Sequence, residues 1–248
     1  MSCSDLPTWY LRHRIAVLDV RSAAFRRARD EGLPGDYHAD VCLRRLARAG
    51  KIRRIRGGLY VVRDPVRETP PIAVASGVFA EVPHYVTTDA ALAHHGLIDQ
   101  PISTITVVLS RARRRFELDS ATTIRPVTVD DARLRAADAY ETMIEGYSIR
   151  VASREQAVVD ALAEPNWMIH GDLLPEILAA FTDAEVARTA SGALDRTTAA
   201  AQRLGYLLEE AGRPLPTHLS ELRPVRAVRL RPQKQARGPY SSRWRVYG

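Results

Sequence analysis

Seven cations and no acid lie between Arg44 and Arg56: Arg44, Arg45, Arg48, Lys51, Arg53, Arg54 and Arg56. Arginine's planar fork pairs with guanine O6 and N7 or clamps a phosphate, so this cluster has the chemistry for gripping a polyanion. Two further runs share the character. Arg111, Arg113, Arg114 and Arg115 form a short one, and the stretch after Glu221 carries Arg223, Arg226, Arg229, Arg231, Lys234, Arg237, Arg243 and Arg245 without an acid. The three segments hold 19 of the 36 cations, and the remaining 17 are outnumbered by 29 acids. The body of the chain is therefore acidic and its positive charge is focused in patches. For the second and third runs a solvated, arginine-rich surface is the simpler reading. In the tail, Trp244 and Val246 alternate with arginines as an edge strand would, which favours contact with an acidic partner or with the chain's own acidic remainder.

Candidates for catalysis are sparse. Asp130-Asp131 and Glu209-Glu210 are neighbours in sequence, and such neighbours rarely share a face. His94-His95 end an expected helix roughly 100° apart, a poor geometry for one metal and a good one for the helix's loose carbonyls. Cys42 lies between Val41 and Leu43 and reads as a small packed residue, and two cysteines make neither a disulfide framework nor a four-ligand zinc site. Phosphate-loop, dinucleotide, nucleophile-elbow and zinc-protease motifs are absent. No catalytic residue, metal or cofactor is expected.

The elements that must position the first cluster follow from hydrophobic spacing. Helices are expected over 10–18, 22–31 (stopped by Gly32) and 37–49 (stopped by Gly50), with a turn at 33–36. In the third, Ala39, Leu43, Leu46 and Ala47 share an inward face and Arg44 and Arg48 share an outward one, with Arg45 beside them. Two β-prone runs, 51–56 and 59–62, flank Gly57-Gly58 and predict a hairpin. Three helices and a hairpin are the order of a winged helix-turn-helix, whose third helix enters the major groove while the wing follows the backbone. That places Arg44, Arg45 and Arg48 on the helix and Lys51, Arg53, Arg54 and Arg56 on the wing. Tyr37, His38, Asp40 and Val41, near the helix N-terminus, become the base readers. Neutralising about six phosphates would give a log–log salt slope of roughly −5.

The polar, proline-rich stretch 63–71 reads as a linker. The expected organisation is α+β: a winged helix-turn-helix over 1–63, a linker over 64–71 and a larger mixed α/β domain over 72–248. In the larger part helices are expected over 72–80, 88–96, 155–163, 173–181, 183–189 and 197–211, and strands over 84–86, 102–109, 122–129 and 147–152, with a last one at the C-terminus. With 248 residues and 46% hydrophobic content the chain can bury a core without staples. No apolar run is long enough to span a membrane, and Met1 to Asp5 has no basic start leading into an apolar core, so a cytoplasmic protein is expected.

Several segments, in order, resemble the AbiEi-type antitoxins. The run from Leu43 to Val61 resembles that family's winged-helix segment, a helix ending in glycine, a basic strand, then glycine, an aliphatic residue and tyrosine. Ala90-Ala91-Leu92-Ala93-His94-His95-Gly96-Leu97 is similar to its "ALxxHGL" element. The segments from Arg150 to Leu162 and from Arg203 to Glu209 are similar to its strand-then-helix element and its late "RLGYLLE" helix. The resemblance implies a non-enzymatic antitoxin and autorepressor. Its partners would be double-stranded DNA, repeats in its own promoter, and a nucleotidyltransferase-like toxin countered directly or indirectly. Two other readings compete. One is a nuclease-like or toxin-type enzyme targeted by a winged helix, and the other is a transcription regulator sensing a small ligand.

Overall fold

Trp9, Tyr10, Phe25, Leu43 and Leu46, spread over three short helices, are buried in one cluster with Ile52, Tyr60 and Val62 from a small sheet. They come from a computed structural model that describes residues 3–31, 36–231 and 239–248, the side chains of 36–38 excepted. The protein is a mixed α/β chain of helices and several sheets, consistent with the α+β class.

Helix α1, Leu6–Arg12, carries Pro7 in its first turn, where a missing N–H breaks no helical bond. Strand β1, Val17–Asp19, follows. Helix α2, Ala23–Asp30, is capped by Ser22, whose Oγ accepts the Phe25 N–H at 3.0 Å. Helix α3, Asp36–Arg48, then leads to strands β2, Ile52–Arg56, and β3, Leu59–Val62. The sheet order is β1-β3-β2, antiparallel throughout. Gly50, at φ +70°, ends α3: its N–H reaches the Ala47 carbonyl at 3.1 Å and the Lys51 N–H the Leu46 carbonyl at 3.0 Å. This crossed pair needs a left-handed residue after the helix, which glycine supplies without steric cost.

Two expectations change here. The helix expected over 10–18 stops at Arg12, and residues 17–19 instead pair with β3, Val17 opposite Val61. Arg14 takes a left-handed φ of 54°, which breaks the helix, and the β-branched Val17 then packs in the sheet. Cys42 is no packed thiol: it is disulfide-bonded to Cys3, with Cα atoms 5.6 Å apart and a sequence separation of 39. The bond ties the segment before α1 to the middle of α3. The Gly32 stop and residues 33–35 of the expected turn lie outside the described residues, and Asp36, expected to end that turn, begins α3. Closing a loop of 39 residues is worth roughly 4 kcal/mol of denatured-state entropy, so Cys42→Ser, or reduction, is expected to lower denaturant stability by up to that amount. Alkylation under non-reducing conditions checks the bond itself: both thiols should be protected.

Beyond residues 63–70 come α4, Pro71–Val78, β4, His84–Thr87, α5, Thr88–His94, and β5, Thr104–Leu109. They are followed by β6, Phe116–Glu117, β7, Thr123–Thr128, α6, Asp131–Ala136, β8, Ala139–Ile144, and β9, Tyr147–Ala152. The six strands form one sheet in the order β6-β7-β5-β4-β9-β8, with β4 and β9 parallel. On α4, the Ser76 hydroxyl donates to Nε2 of the buried His84 at 2.8 Å, while His84 Nδ1 donates to the Val82 carbonyl at 2.9 Å. That pattern fits the neutral ring, and burial holds its pKa below the ordinary 6.5. The unfolded chain therefore binds the proton more readily. Stability should be complete above pH 6.5 and fall as pH drops below it; denaturant titrations should show this slope in the parent and a flatter one in His84→Gln.

The remainder is mainly helical: α7, Arg154–Ala163, α8, Leu174–Ala179, α9, Asp183–Arg196, α10, Thr198–Glu210, and α11, Thr217–Ser220. Thr182 and Glu185 make a reciprocal capping box at the start of α9. The tail forms a small sheet of β10, Val228–Arg229, β11, Tyr240–Ser241, and β12, Val246–Tyr247, in the order β10-β12-β11.

The chain divides into two compact units, one of Met1–Val86, Val107–Ala136 and Tyr140–Val151, the other of Thr87–Thr106, Ala137–Ala139 and Ala152–Gly248. This division does not fall at residues 64–71. Side chains of β2 reach the β6 region, as described below, and Thr69 Oγ1 donates to the Val62 carbonyl at 3.3 Å, so the first 63 residues share a unit with much of the large sheet.

Candidate nucleic-acid interface

Helix α3 buries Cys42, Leu43 and Leu46 and turns Asp40, Val41, Arg44, Arg45 and Arg48 to the outside. Three guanidinium groups thus stand on one exposed face, because the inward residues recur at three- and four-residue spacing. Arg44 Nη2 lies 3.3 Å from Asp40 Oδ2, an exposed pair of little energetic weight that leaves both groups open to competition from a phosphate. Val41 is 38% exposed, an apolar contact of the kind that meets a thymine methyl. Tyr37 and His38 belong to the first turn of α3, and their side chains lie outside the described residues.

The four cations of the basic strand separate into two pairs. Lys51 and Arg54 are exposed. Arg53 is half-buried and donates from Nη1 to the Leu118 carbonyl, and Arg56 lies 4.3 Å over the ring of Phe116. Arg53 and Arg54, as successive residues of β2, leave opposite faces of the strand, and the register shift between Arg54 and Arg56 takes Arg56 out of the face that simple alternation would have it share with Arg54. Arg53 and Arg56 therefore act within the unit, tying β2 to the β6 region.

The second basic run is brought to the same place. Burial lowers the pKa of Arg56, and the nearby charges of Arg21 and Arg113 lower it further. All three line a cavity of about 490 Å³, together with Gly57, Asp19 and Glu81. Arg111, Arg113, Arg114 and Arg115 are exposed. The run was visible in the sequence; its position beside the hairpin depends on the large sheet and was not.

Asp130, Glu209, Glu210 and His95 each have a structural partner. Asp130 Oδ1 accepts the Arg133 N–H at 2.7 Å and caps α6. Glu209 accepts the Trp244 indole N–H at 2.6 Å and pairs with Arg243, and Glu210 accepts the Tyr206 hydroxyl at 2.5 Å. The tail thus meets an acid of its own chain. His95 Nε2 lies 2.8 Å from the Ala152 carbonyl. Among the described residues no group of three or more His, Cys, Asp or Glu could hold a metal ion, and no helix is long and apolar enough to cross a membrane.

The later segments of the family resemblance carry buried polar groups of the second unit. Asp160 on α7 is fully buried and accepts from Thr87 Oγ1 at 2.8 Å, Gln156 Nε2 at 3.0 Å and Arg196 Nη2 at 2.8 Å. Gly205 on α10 lies against the Trp244 ring. No family model and no curated protein matches the chain. Its fold is similar to that in the crystal structure of the RV2827C protein from Mycobacterium tuberculosis, with a TM-score of 0.64 and 19% identity, covering 98% of this chain and 90% of that one.

Proposed function

We propose that the protein is a non-enzymatic, DNA-binding autorepressor and antitoxin of the AbiEi type, acting in the cytoplasm, with a winged helix as its DNA-binding part. The observation that carries the DNA-binding half is the exposed face of Arg44, Arg45 and Arg48 on α3, with Lys51 and Arg54 exposed just beyond it. Helix, strand, two helices and two strands, with the sheet order β1-β3-β2, fit a winged helix in which α3 reads the major groove and β2 follows the backbone. The antitoxin half rests on the sequence resemblance, and its partner would be a nucleotidyltransferase-like toxin.

Two experiments test the two halves. Lys51→Ala with Arg54→Ala should weaken binding to any duplex and reduce the salt slope by about two, one for each lost phosphate contact, whereas Arg53→Ala should leave the slope unchanged. Anisotropy titrations on a labelled fragment of the upstream DNA read both quantities. For the second half, co-expression with the adjacent reading frame should restore growth that this frame alone arrests; arrest that persists would remove the antitoxin reading and leave the DNA-binding one standing.

A further inference from the structure

Arg203 on α10 is 8% exposed, and no carboxylate is hydrogen-bonded to it among the described residues. Its Nε donates to the Arg229 carbonyl at 2.8 Å and its Nη1 to the Leu162 carbonyl at 2.6 Å, and Glu164 acts on it through charge alone. Two neutral carbonyls fix the guanidinium in place through Nε and Nη1, and among the described residues no hydrogen bond engages Nη2. Burial lowers the pKa of the group, the signature of a cation held against a desolvation cost. A desolvated guanidinium held by neutral groups favours an anionic partner, and Arg–phosphate contacts are among the strong charge-assisted ones.

Arg203 lines a cavity of about 320 Å³ with Arg231, His170, Asp172, Met168 and Leu174. The wall carrying His170 is held rigidly. Asp89, 1% exposed, accepts the backbone N–H groups of Ile169 at 2.9 Å and His170 at 2.8 Å, and its Oδ1 lies 2.9 Å from His170 Nδ1. The Trp167 carbonyl just before it accepts hydroxyls from Thr88 at 3.2 Å and Thr106 at 3.1 Å. Thr88, a β-branched residue, is held at a left-handed φ of 52°, an unfavourable conformation that surrounding bonds must maintain. With Nδ1 occupied, Nε2 is the nitrogen that His170 has left for a ligand.

We propose that this cavity in the second unit binds a small phosphate monoester. Two guanidinium groups favour a dianion over a carboxylate, the apolar walls accept the ester's body, and Asp172 with His170 Nε2 can bond its hydroxyl groups. The site is independent of the face on α3.

The test uses the full chain with phenyl phosphate, benzoate and phenol, followed by calorimetric titration. Phenyl phosphate should bind at least about tenfold more tightly than phenol or benzoate, the worth of one added charge-assisted contact. Arg231→Gln, at the cavity edge, should cost about tenfold, and Arg45→Gln with Arg48→Gln should change nothing. No binding at millimolar phenyl phosphate would overturn the proposal. So would equal binding of benzoate, indifference to Arg231→Gln, or loss of binding in the α3 variant. Arg203→Lys is a second variant, and circular dichroism must show it folded; if folded, it should also bind at least about fivefold more weakly, and unchanged affinity would count against the site.

Discussion

Replacing Arg45 and Arg48 with Glu is expected to lower affinity for duplex DNA by at least about a hundredfold, because two charge-assisted contacts, each worth roughly 1.5–3 kcal/mol, are lost and become repulsions. Both side chains are exposed on α3 and neither has a side-chain partner among the described residues, so the fold has no reason to change. Circular dichroism and the thermal midpoint should match the parent. Salt dependence separates mechanisms: the slope of log K against log salt should flatten by about two or more, since each lost phosphate contact removes nearly one unit. A large affinity loss with an unchanged slope would mean that the arginines read bases. No loss would mean that α3 does not face DNA.

The second large effect concerns stability. Trp244 is 1% exposed and rests on the α10 backbone, where a Cβ added at Gly205 would come within 2.3 Å of its ring. Its indole N–H donates to Glu209, and its carbonyl accepts from Gln202 Nε2 at 2.8 Å. Truncation to Ala removes the largest fully buried side chain and leaves a cavity, an expected cost of about 3–5 kcal/mol. Gly205→Ala overpacks the same contact from the other side. The ring must move away from backbone it now touches, so a loss of about 1–3 kcal/mol is expected. Urea midpoints read both. If each variant unfolds with the parent, the tail does not dock as described.

These two sites differ in how far the sequence disclosed them. The exposed face of α3 was legible because its signals are local: Leu43 and Leu46 set the inward side, the arginines between them must point out, and Gly50 ends the helix. The strand at 17–19 was not, since the short apolar run 15–18 fits either a helix or a strand, and only its pairing with β3, some forty residues away, decides. The same holds for the disulfide, which depends on the segment before α1 lying across α3. Charge counting overstated the hairpin. Arg53 and Arg56 look equivalent to Arg54 in sequence, yet a carbonyl and an aromatic ring from the β6 region engage them. In the tail, Trp244 stood out by its type, but its seat on Gly205 and Glu209 is a tertiary fact. Arg203 opened a segment marked only by resemblance, and its burial was not legible in the sequence, because an arginine's desolvation is set by what packs round it.

The central claim, that the exposed cations of α3 and β2 hold duplex DNA, is tested most directly by the salt dependence of binding by the unaltered protein. Anisotropy titrations against a duplex from its own upstream region, repeated across a range of potassium concentrations, should give a log–log slope of about −4 to −5, matching five exposed cations on five phosphates. The affinity should also exceed that for a scrambled duplex. No complex at the lowest salt, or a slope near zero, would contradict the account.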